Sequence, residues 1–182
     1  NAPYVGDQFA GIYKGEVAIF DLTGSDPNGD PLSYQLVDPP MNGLLDCAWP
    51  SCTYTPNPGF AGVDQFTYQA YDGTYYSRLA TVTIEVQSHV PVARSMEVTT
   101  QQGVAIDIAL DFDDPDTDES WQSWIYMFPS SGNLNGSTGT VRYTPNPEFL
   151  GDDAFDYAIY DGYNVSNEAQ VIIHVIFVDD DE

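Results

Sequence analysis

The sequence predicts an all-β protein that consists of two antiparallel β-sandwiches in tandem. The first observation is an internal repeat: YTPNPGFAGVDQFTYQAYDG at 54–73 returns as YTPNPEFLGDDAFDYAIYDG at 143–162, a shift of 89 residues. This period fits one small sandwich domain and is too long for most solenoid repeats. The second observation is that apolar residues alternate with polar ones in short runs, as in half-buried strands, and no stretch shows a helical period.

Each unit is expected to hold seven short strands, separated by turns rich in Pro, Gly, Asn and Asp. The strongest candidates carry apolar residues at every second position and lie at 18–22, 66–70, 80–86, 106–110, 155–159 and 169–175. Greek-key sandwiches of the immunoglobulin and cadherin type have this number of strands and this turn spacing. The two domains are assigned to residues 1–87 and 88–182. QSHVP at 87–91 joins them without a Gly/Ser spacer, and we expect so short a connection to hold them end to end.

The charge of the chain is strongly negative. Lys and Arg number 4 and Asp and Glu number 28, which gives a formal net charge of −24. Nucleic acid is therefore excluded as a partner, because phosphate binding needs a basic patch. Adaptation to a salty medium would also produce an acidic surface, and that alternative stays open. No apolar run in the sequence is long enough to span a membrane.

The two cysteines lie in the short segment CAWPSC, as Cys47 and Cys52. They can form a disulfide if they face each other across a hairpin, and the bridge would then act as a local staple. A disulfide indicates an oxidising, exported location. Two reduced thiols remain the alternative. The spacing is not that of a zinc site, and His89 and His174 stand isolated in the sequence.

The loop between the second and third strands is acidic in both units. SDPNGDP places Asp26, Asn28 and Asp30 at every second position, and DPDTD repeats this spacing 88 residues later with Asp114, Asp116 and Asp118. Alternate oxygens in a curled loop point toward one spot, where carboxylates repel one another unless a cation is present. Ca²⁺ is the expected ion, because it accepts several oxygen ligands at flexible geometry.

Further ligands are expected at the same end of each sandwich. The loop between the last two strands begins with Asp72 in the first unit and Asp161 in the second, and Asn1 enters at the top of the first. The second cluster is expected to face the linker and the lower loops of the first unit, including Asp64, so that one cation could bridge the domains. Plain Asp-Gly turns would also explain Asp72 and Asp161, and capping of a corner would explain Asp64.

Aromatic residues give two further expectations. The run from Asp64 through Tyr68 has the form of a tyrosine corner before the sixth strand. Of the two tryptophans expected in the third strand of the second unit, Trp121 and Trp124, the sequence favours Trp124 as the core residue.

Four motifs recur in order and carry a resemblance to a family. They are the acidic loop at 24–34, N-G-x-L at 42–45, the YTPNP block at 54–73, and S-x-x-A-x-V-x-I-x-V at 77–86. This order resembles the bacterial cadherin-like tandem immunoglobulin-type repeats of secreted or surface-attached adhesins. The resemblance implies an extracellular, often calcium-dependent module that stacks on neighbouring repeats. The second unit departs from the pattern, since DFDDPDTDESWQSW lacks the usual continuation.

The function predicted on these grounds is that of a calcium-binding module in cell-surface adhesion, or of a calcium-rigidified spacer. An enzyme is not expected, because no Ser–His arrangement suggests a triad and the paired aspartates recur in both units. The alternative is a calcium-dependent polysaccharide-binding module, whose candidate contacts are Tyr75, Tyr76, Trp49 and Tyr163. Partners would be neighbouring repeats and an extracellular polysaccharide or another surface protein.

Overall fold

The computed structural model describes residues 1–116 and 120–177. It separates into two compact units, Asn1–Ser88 and His89–Glu182. Within the described residues every regular element is a β-strand, and no helix is long and apolar enough to cross a membrane. The fold prediction of two tandem β-sandwiches is therefore confirmed.

The first unit contains nine strands, which correspond to the seven expected ones because the first and the second are each split in two. Their bounds are β1 Tyr4–Val5, β2 Gln8–Tyr13, β3 Ala18–Asp21, β4 Gly24–Ser25, β5 Ser33–Asp38, β6 Gly43–Ala48, β7 Ser51–Pro56, β8 Gly62–Tyr71 and β9 Ala80–Gln87. One sheet has the order β2-β9-β8-β5 and the other β3-β7-β6, while β1 pairs with β4.

The pairing of β2 differs from the all-antiparallel expectation. β2 runs parallel to β9, with Ala10 opposite Ile84. The reason is the split of the first strand: β1 pairs antiparallel with β4, and after the break at Gly6 and Asp7 the chain continues as β2 in the other sheet. The first strand is thereby divided between two pairings, and β2 forms one edge of the four-stranded sheet, where it lies parallel beside the last strand, β9.

The second unit repeats this arrangement. Its strands are β10 Val92–Ala93, β11 Met96–Gln101, β12 Ile106–Ala109, β13 Phe112–Asp113, β14 Gln122–Met127, β15 Gly132–Thr138, β16 Thr140–Pro145, β17 Gly151–Tyr160 and β18 Ala169–Ile176. The sheets are β11-β18-β17-β14 and β12-β16-β15, with β10 paired to β13, and β11 runs parallel to β18.

Each unit has its own core, built from the inward-facing residues of the alternating strands. In β8 the buried positions are Asp64, Phe66, Tyr68 and Ala70, and the residues between them face outward. β17 repeats the pattern with Asp153, Phe155, Tyr157 and Ile159. The period of two in the sequence is thus the alternation between core and surface.

A buried tyrosine–aspartate pair braces the first core. The carboxylate of Asp64 accepts hydrogen bonds from the hydroxyl of Tyr54 (2.8 Å) and from the backbone amides of Met41, Asn42 and Gln65 (3.0, 2.8 and 2.9 Å). Burial raises the pKa of Asp64, but these hydrogen bonds outweigh burial and hold the pKa below its ordinary value. Asp64 therefore serves as a buried acceptor.

The second unit contains the same pair. Asp153 accepts from the hydroxyl of Tyr143 (2.8 Å) and from the amides of Ser130, Ser131 and Ala154 (2.8, 2.9 and 3.0 Å). Its pKa is likewise lowered, because the hydrogen bonds outweigh the effect of burial. The equivalence of the two pairs explains why Y-T-P-N-P and the aspartate ten residues after its tyrosine recur together.

The tyrosine-corner interpretation is wrong in its geometry. A tyrosine corner bonds to backbone only a few residues upstream. The hydroxyl of Tyr68 instead donates to the carbonyl of Gly6 at 3.0 Å, and that of Tyr157 lies 2.7 Å from the carbonyls of both Arg94 and Asp111. In each unit the tyrosine therefore ties the sixth of the seven expected strands, β8 or β17, to the segment between the two halves of the first expected strand.

The predicted disulfide is present, since Cys47 and Cys52 are bonded and face each other across the β6–β7 hairpin. The expectation for the tryptophans is wrong. Trp121 packs against the second core, whereas Trp124 is 41% exposed and stacks on Tyr160. Trp124 lies opposite Ala158, an outward position of β17, so the register turns its side chain away from the core.

Candidate metal site

The acidic loop of the first unit connects β4 to β5 and curls around one carboxylate. Oδ1 of Asp26 accepts the backbone amides of Asn28 (2.7 Å) and Asp30 (3.1 Å). Gly29 completes the turn with φ of 78°, a conformation that favours glycine. The S-D-P-N-G-D sequence forms this loop because aspartate bonds readily to amides two to four residues ahead.

The loop between β8 and β9 forms a second turn of the same kind. Oδ1 of Asp72 accepts the amides of Thr74 (2.7 Å) and Tyr75 (2.6 Å). The hydrogen bond from Tyr75 is the main cause that holds the pKa of Asp72 below its ordinary value. Asp72 is therefore a fixed, ionised carboxylate directly after the end of β8.

The two loops bring three carboxylates together. One oxygen from each of Asp26, Asp30 and Asp72 lies within 4.8 Å of the other two. Oδ2 of Asp26 is buried and has no hydrogen-bond partner, although Oδ1 of the same group has two. Since like charges at this spacing repel one another and a buried unpaired oxygen is unfavourable, the cluster has the electrostatic character of a cation site.

Two other predicted ligands of the first unit lie close to this cluster in the chain or in space. Asn28 is exposed, and its backbone amide shapes the loop. Asn1 is exposed and lies three residues before Tyr4 of β1, which pairs with Ser25 next to the acidic loop.

Asp64 lies elsewhere. It precedes Asp72 by eight residues along β8, roughly 26 Å of extended strand, which agrees with its expected position at the opposite end of the sandwich from that cluster. Its oxygens accept from four donors, as described above. The structure gives Asp64 the role of a core acceptor in place of the predicted role of a ligand.

The second unit reproduces part of this site. The amide of Asp116 donates to Oδ1 of Asp114 at 3.0 Å, and the amides of Tyr163 and Asn164 donate to Oδ1 of Asp161 at 2.7 and 2.5 Å. Asp161 is 1% exposed, and its Oδ2 is buried without a hydrogen-bond partner. Asp118, the counterpart of Asp30, lies outside the described residues.

The charges of this second cluster interact. Burial is the main cause that raises the pKa of Asp114, and the negative charges of Asp161 and Asp116 raise it further. Among the residues that the structure describes, however, no three of these groups come as close as the trio in the first unit. The two clusters are therefore related in sequence and unequal in geometry.

His89 is the main site residue that the sequence analysis missed. Its backbone amide lies 2.6 Å and its Nδ1 lies 3.0 Å from the two oxygens of Asp116, and Asn164 donates to its carbonyl at 3.1 Å. The first unit has no histidine at the equivalent position, because a shift of 88 residues leads from His89 to Asn1. His174, which also stands alone in the sequence, contacts Asp152 and Glu97 at 2.7 and 3.5 Å.

The predicted carbohydrate contacts are at the surface. Tyr75, Tyr76 and Tyr163 are 53–55% exposed, and Trp49 is 37% exposed. Trp49 stacks on Tyr34, with ring centroids 6.4 Å apart. The backbone amide of Tyr75 also donates to Asp72, so this exposed ring belongs to the same loop as a candidate metal ligand.

The fold and the duplicated loops define a class of protein: a tandem pair of immunoglobulin-like repeats with acidic loops at the strand ends. A family model described as the bacterial Ig domain matches the chain twice, at residues 1–85 and 88–174. The chain belongs to this family of bacterial Ig domains, which confirms the family resemblance seen in its motifs.

The individual relatives match this chain at low sequence identity or over a small part of their own length. A curated relative, integrin beta-like protein E of Dictyostelium discoideum, is 33% identical over 139 residues, which cover 63% of this chain and only 7% of that protein.

Two solved structures align over nearly the whole of both chains at 10% identity. Titin domains z1z2 in complex with telethonin (TM-score 0.48) cover 98% of each chain, and human mucin-like protocadherin EC1-2 (TM-score 0.44) covers 97% of this chain and 98% of its own. An endo-fucoidan hydrolase of glycoside hydrolase family 107 is 16% identical with a TM-score of 0.41, and the match covers 98% of this chain and 29% of that one. At these scores the similarities support no conclusion about function.

Proposed function

We propose that the chain is an extracellular calcium-binding module that acts in cell-surface adhesion or as a calcium-stiffened spacer of a larger protein. The observation that carries the proposal is the approach of three carboxylate oxygens, from Asp26, Asp30 and Asp72, to within 4.8 Å of one another. The membership in the bacterial Ig domain family and the disulfide support an extracellular setting.

The donor set fits Ca²⁺. Calcium takes six to eight oxygen ligands at about 2.3–2.6 Å, so two oxygens on one ion can lie up to roughly 5 Å apart. The three carboxylates fall within that limit, and the unpartnered Oδ2 of Asp26 is available as a ligand. Magnesium is a poorer fit, because it requires shorter distances and near-ideal octahedral geometry. The absence of a nitrogen or sulfur donor from the trio also favours a hard cation.

The effect of calcium follows from linkage. An ion that binds the folded loops and not the unfolded chain stabilises the fold by about 2.7 kcal/mol when its concentration is 100 times the Kd. Because Asp26 and Asp72 belong to different loops, one ion would join the β4–β5 and β8–β9 connections of the same sandwich. The predicted consequence for a spacer is a stiffer loop end of the first sandwich.

Thermal unfolding tests this proposal. We expect calcium to raise the Tm of the native chain relative to a chelator, and we expect Asp26→Asn/Asp72→Asn to lose most of that increase. Asp46→Asn is a matched control, because Asp46 is an exposed aspartate on β6, outside the cluster. An increase of equal size in the double variant would show that calcium acts on the general negative charge, and the proposed site would be wrong.

A calcium-dependent carbohydrate-binding module is the second candidate. The specific observation in its favour is that Tyr75 and Tyr76, both more than half exposed, follow Asp72 in one loop. Tyrosine rings stack on sugar rings, and an ion at Asp72 would order their backbone. Affinity electrophoresis in polysaccharide gels tests this function: retention that requires calcium and is lost in Tyr75→Ala/Tyr76→Ala would support it, and unretarded native protein would exclude it.

A further inference from the structure

The outer face of the four-stranded sheet in the second unit contains a groove. Because Asp153, Phe155 and Tyr157 face the core, the outward residues of β17 are Asp152, Ala154 and Asp156. The groove has a volume of about 380 Å³, and its apolar lining consists of Met127, Phe128, Ala154 and Ile172. A smaller recess of about 150 Å³, lined in part by Met96 and Glu97, continues it, since both share Gln170 and Ile172.

The equivalent face of the first unit is polar. A shift of 89 residues places Gln65 at the position of Ala154 and Thr83 at that of Ile172. The amide of Gln65 donates to the hydroxyl of Thr83 at 3.2 Å, so a cross-strand hydrogen bond stands where the second unit has an apolar floor. The two copies share one fold, and the groove is therefore a property of these side chains and not a requirement of the sandwich.

The edges of the two four-stranded sheets also differ, and the second unit again has the more apolar side chains. Among the described residues β14 is hydrogen-bonded only to β17, so it is an edge strand. Trp124, Tyr126, Met127 and Phe128 on this edge are 41–64% exposed. In the first unit Asp38 and Pro39 stand at the positions of Met127 and Phe128, and charge and proline are the usual protection of an edge against pairing. The second unit lacks that protection.

The charge around the groove is negative. Glu97, Asp152 and Asp153 line the two recesses, and no Lys or Arg is among the described residues that do so. His174 lies between Asp152 and Glu97 at 2.7 and 3.5 Å, and one imidazole cannot neutralise both carboxylates. A second copy of a chain with net charge −24 would be repelled, whereas a cationic segment would be attracted.

We propose that this groove and the adjoining β14 edge bind an extended peptide segment of a partner protein that alternates basic and aliphatic residues. The aliphatic side chains enter the groove over Ile172 and Ala154, the basic ones contact Asp152 and Glu97, and the peptide backbone runs beside the end of β14 at Met127. This interaction is independent of the calcium site of the first unit.

The three methionines of the chain supply a test on the intact protein. Met127 lines the groove and Met96 lines the adjoining recess, whereas Met41 is 87% exposed in the first unit and serves as an internal control. A short, end-blocked peptide of alternating lysine and valine is titrated into protein with ¹³C-labelled methionine methyl groups at physiological salt. We expect saturable shifts of the Met96 and Met127 signals and a constant Met41 signal.

Two variants make the test specific. Ala154→Gln/Ile172→Thr installs the residues of the first unit and is expected to weaken peptide binding at least tenfold, with an unchanged circular dichroism spectrum. If that variant does not fold, Glu97→Gln/Asp152→Asn, which changes exposed groups only, is expected to weaken binding in the same sense. Asp26→Asn/Asp72→Asn should bind the peptide as the native chain does.

Several results would overturn the proposal. These are the absence of any shift, equal shifts at Met41, equal binding of a matched peptide with glutamate in place of lysine, and unchanged affinity in the groove variants. Shifts of Met96 and Met127 with a neutral oligosaccharide and none with the peptide would assign the groove to a glycan instead.

Discussion

At the scale of single residues, each of the two buried aspartates holds several hydrogen-bond donors in place with one carboxylate. Asp64 accepts four hydrogen bonds and Asp153 accepts five, and in each case one of them comes from a tyrosine hydroxyl in the core. Their other partners include backbone amides of the loop before β6 or β15 and the amide of the next residue in the same strand. The sequence motif records this arrangement as a tyrosine followed ten residues later by an aspartate.

Replacement of one buried aspartate tests this arrangement. Asp64→Asn is expected to lower the free energy of unfolding by about 2–4 kcal/mol. The side-chain NH2 group of the asparagine would face hydrogen-bond donors that the carboxylate accepts in the native chain. Tyr54→Phe, which removes a single donor, should cost about 1 kcal/mol. Chemical denaturation measures both changes, and equal losses in the two variants would contradict the account.

The pH dependence of stability follows from the same groups. The pKa values of Asp64 and Asp153 are lower in the folded chain than the ordinary value of 3.8, so their contribution is fully present above that value. It is lost as the pH falls through the folded pKa values. The native chain should therefore lose stability more steeply than Asp153→Asn below about pH 4. Denaturation curves over an acid pH series check this, and parallel curves would contradict it.

At the scale of elements, the close approach of a glycine to the core tyrosine explains the N-G-x-L motif. A Cβ at Gly43 would overlap the ring of Tyr54, and a Cβ at Gly132 would overlap the ring of Tyr143. β6 and β15 therefore begin with glycine because the tyrosine ring lies against the backbone. Strand preferences alone would disfavour this residue.

Gly43→Ala is the corresponding prediction. The clash must displace the Tyr54 ring from its hydrogen bond to Asp64, so we expect a loss of about 2–3 kcal/mol in the free energy of unfolding. Gly103→Ala is an informative control: it has φ of 71°, and a Cβ there would meet nothing within 4 Å. A smaller loss at Gly43 than at Gly103 would contradict the proposed role of the close approach.

The elements also show where sequence reasoning succeeded and where it failed. The alternation of apolar residues located the strands, and the position of the acidic loops at strand ends followed from topology. The prediction that the side chain of Trp124 faces the core is wrong, because a shift of one residue along a strand moves a side chain to the other face of the sheet. Comparison with the first unit would have found it, since the equivalent residue is Gln35, which lies between the partly buried Tyr34 and Leu36.

Other features had no local signal. The parallel pairing of β2 with β9 depends on a strand that changes sheets within two residues, which the hydrophobic pattern does not mark. The contact of His89 with Asp116 joins residues 27 positions apart and has no counterpart in the first unit. For Asp64 the sequence leaves two roles open, that of a ligand and that of a cap for backbone amides, and the donors seen in the structure favour the second.

At the scale of the whole molecule, the net charge of −24 gives the two proposed interactions a common origin. Negative charge gathered in loops favours a divalent ion, and negative charge beside an apolar groove favours a basic segment. The duplication supplies an internal comparison for both. The first unit brings three carboxylates together and has a polar sheet face, whereas the second has a looser described cluster and an apolar groove.

The inequality of the two clusters leads to a prediction for the whole chain. Asp26→Asn/Asp72→Asn should remove the tighter calcium-binding event, whereas Asp114→Asn/Asp161→Asn should leave it in place. The reason is that only the first cluster has three described carboxylate oxygens within 4.8 Å of one another. Calcium-dependent changes in tyrosine and tryptophan fluorescence measure this, and the reverse order of effects would contradict it.

The most direct test of the calcium site is a calcium titration of the intact chain by isothermal calorimetry, in parallel with Asp26→Asn/Asp72→Asn. The account predicts saturable binding to the native chain that persists in excess magnesium, with a Kd at least tenfold weaker in the double variant. Binding that is absent from the native chain, or that is unchanged in the double variant, would contradict it.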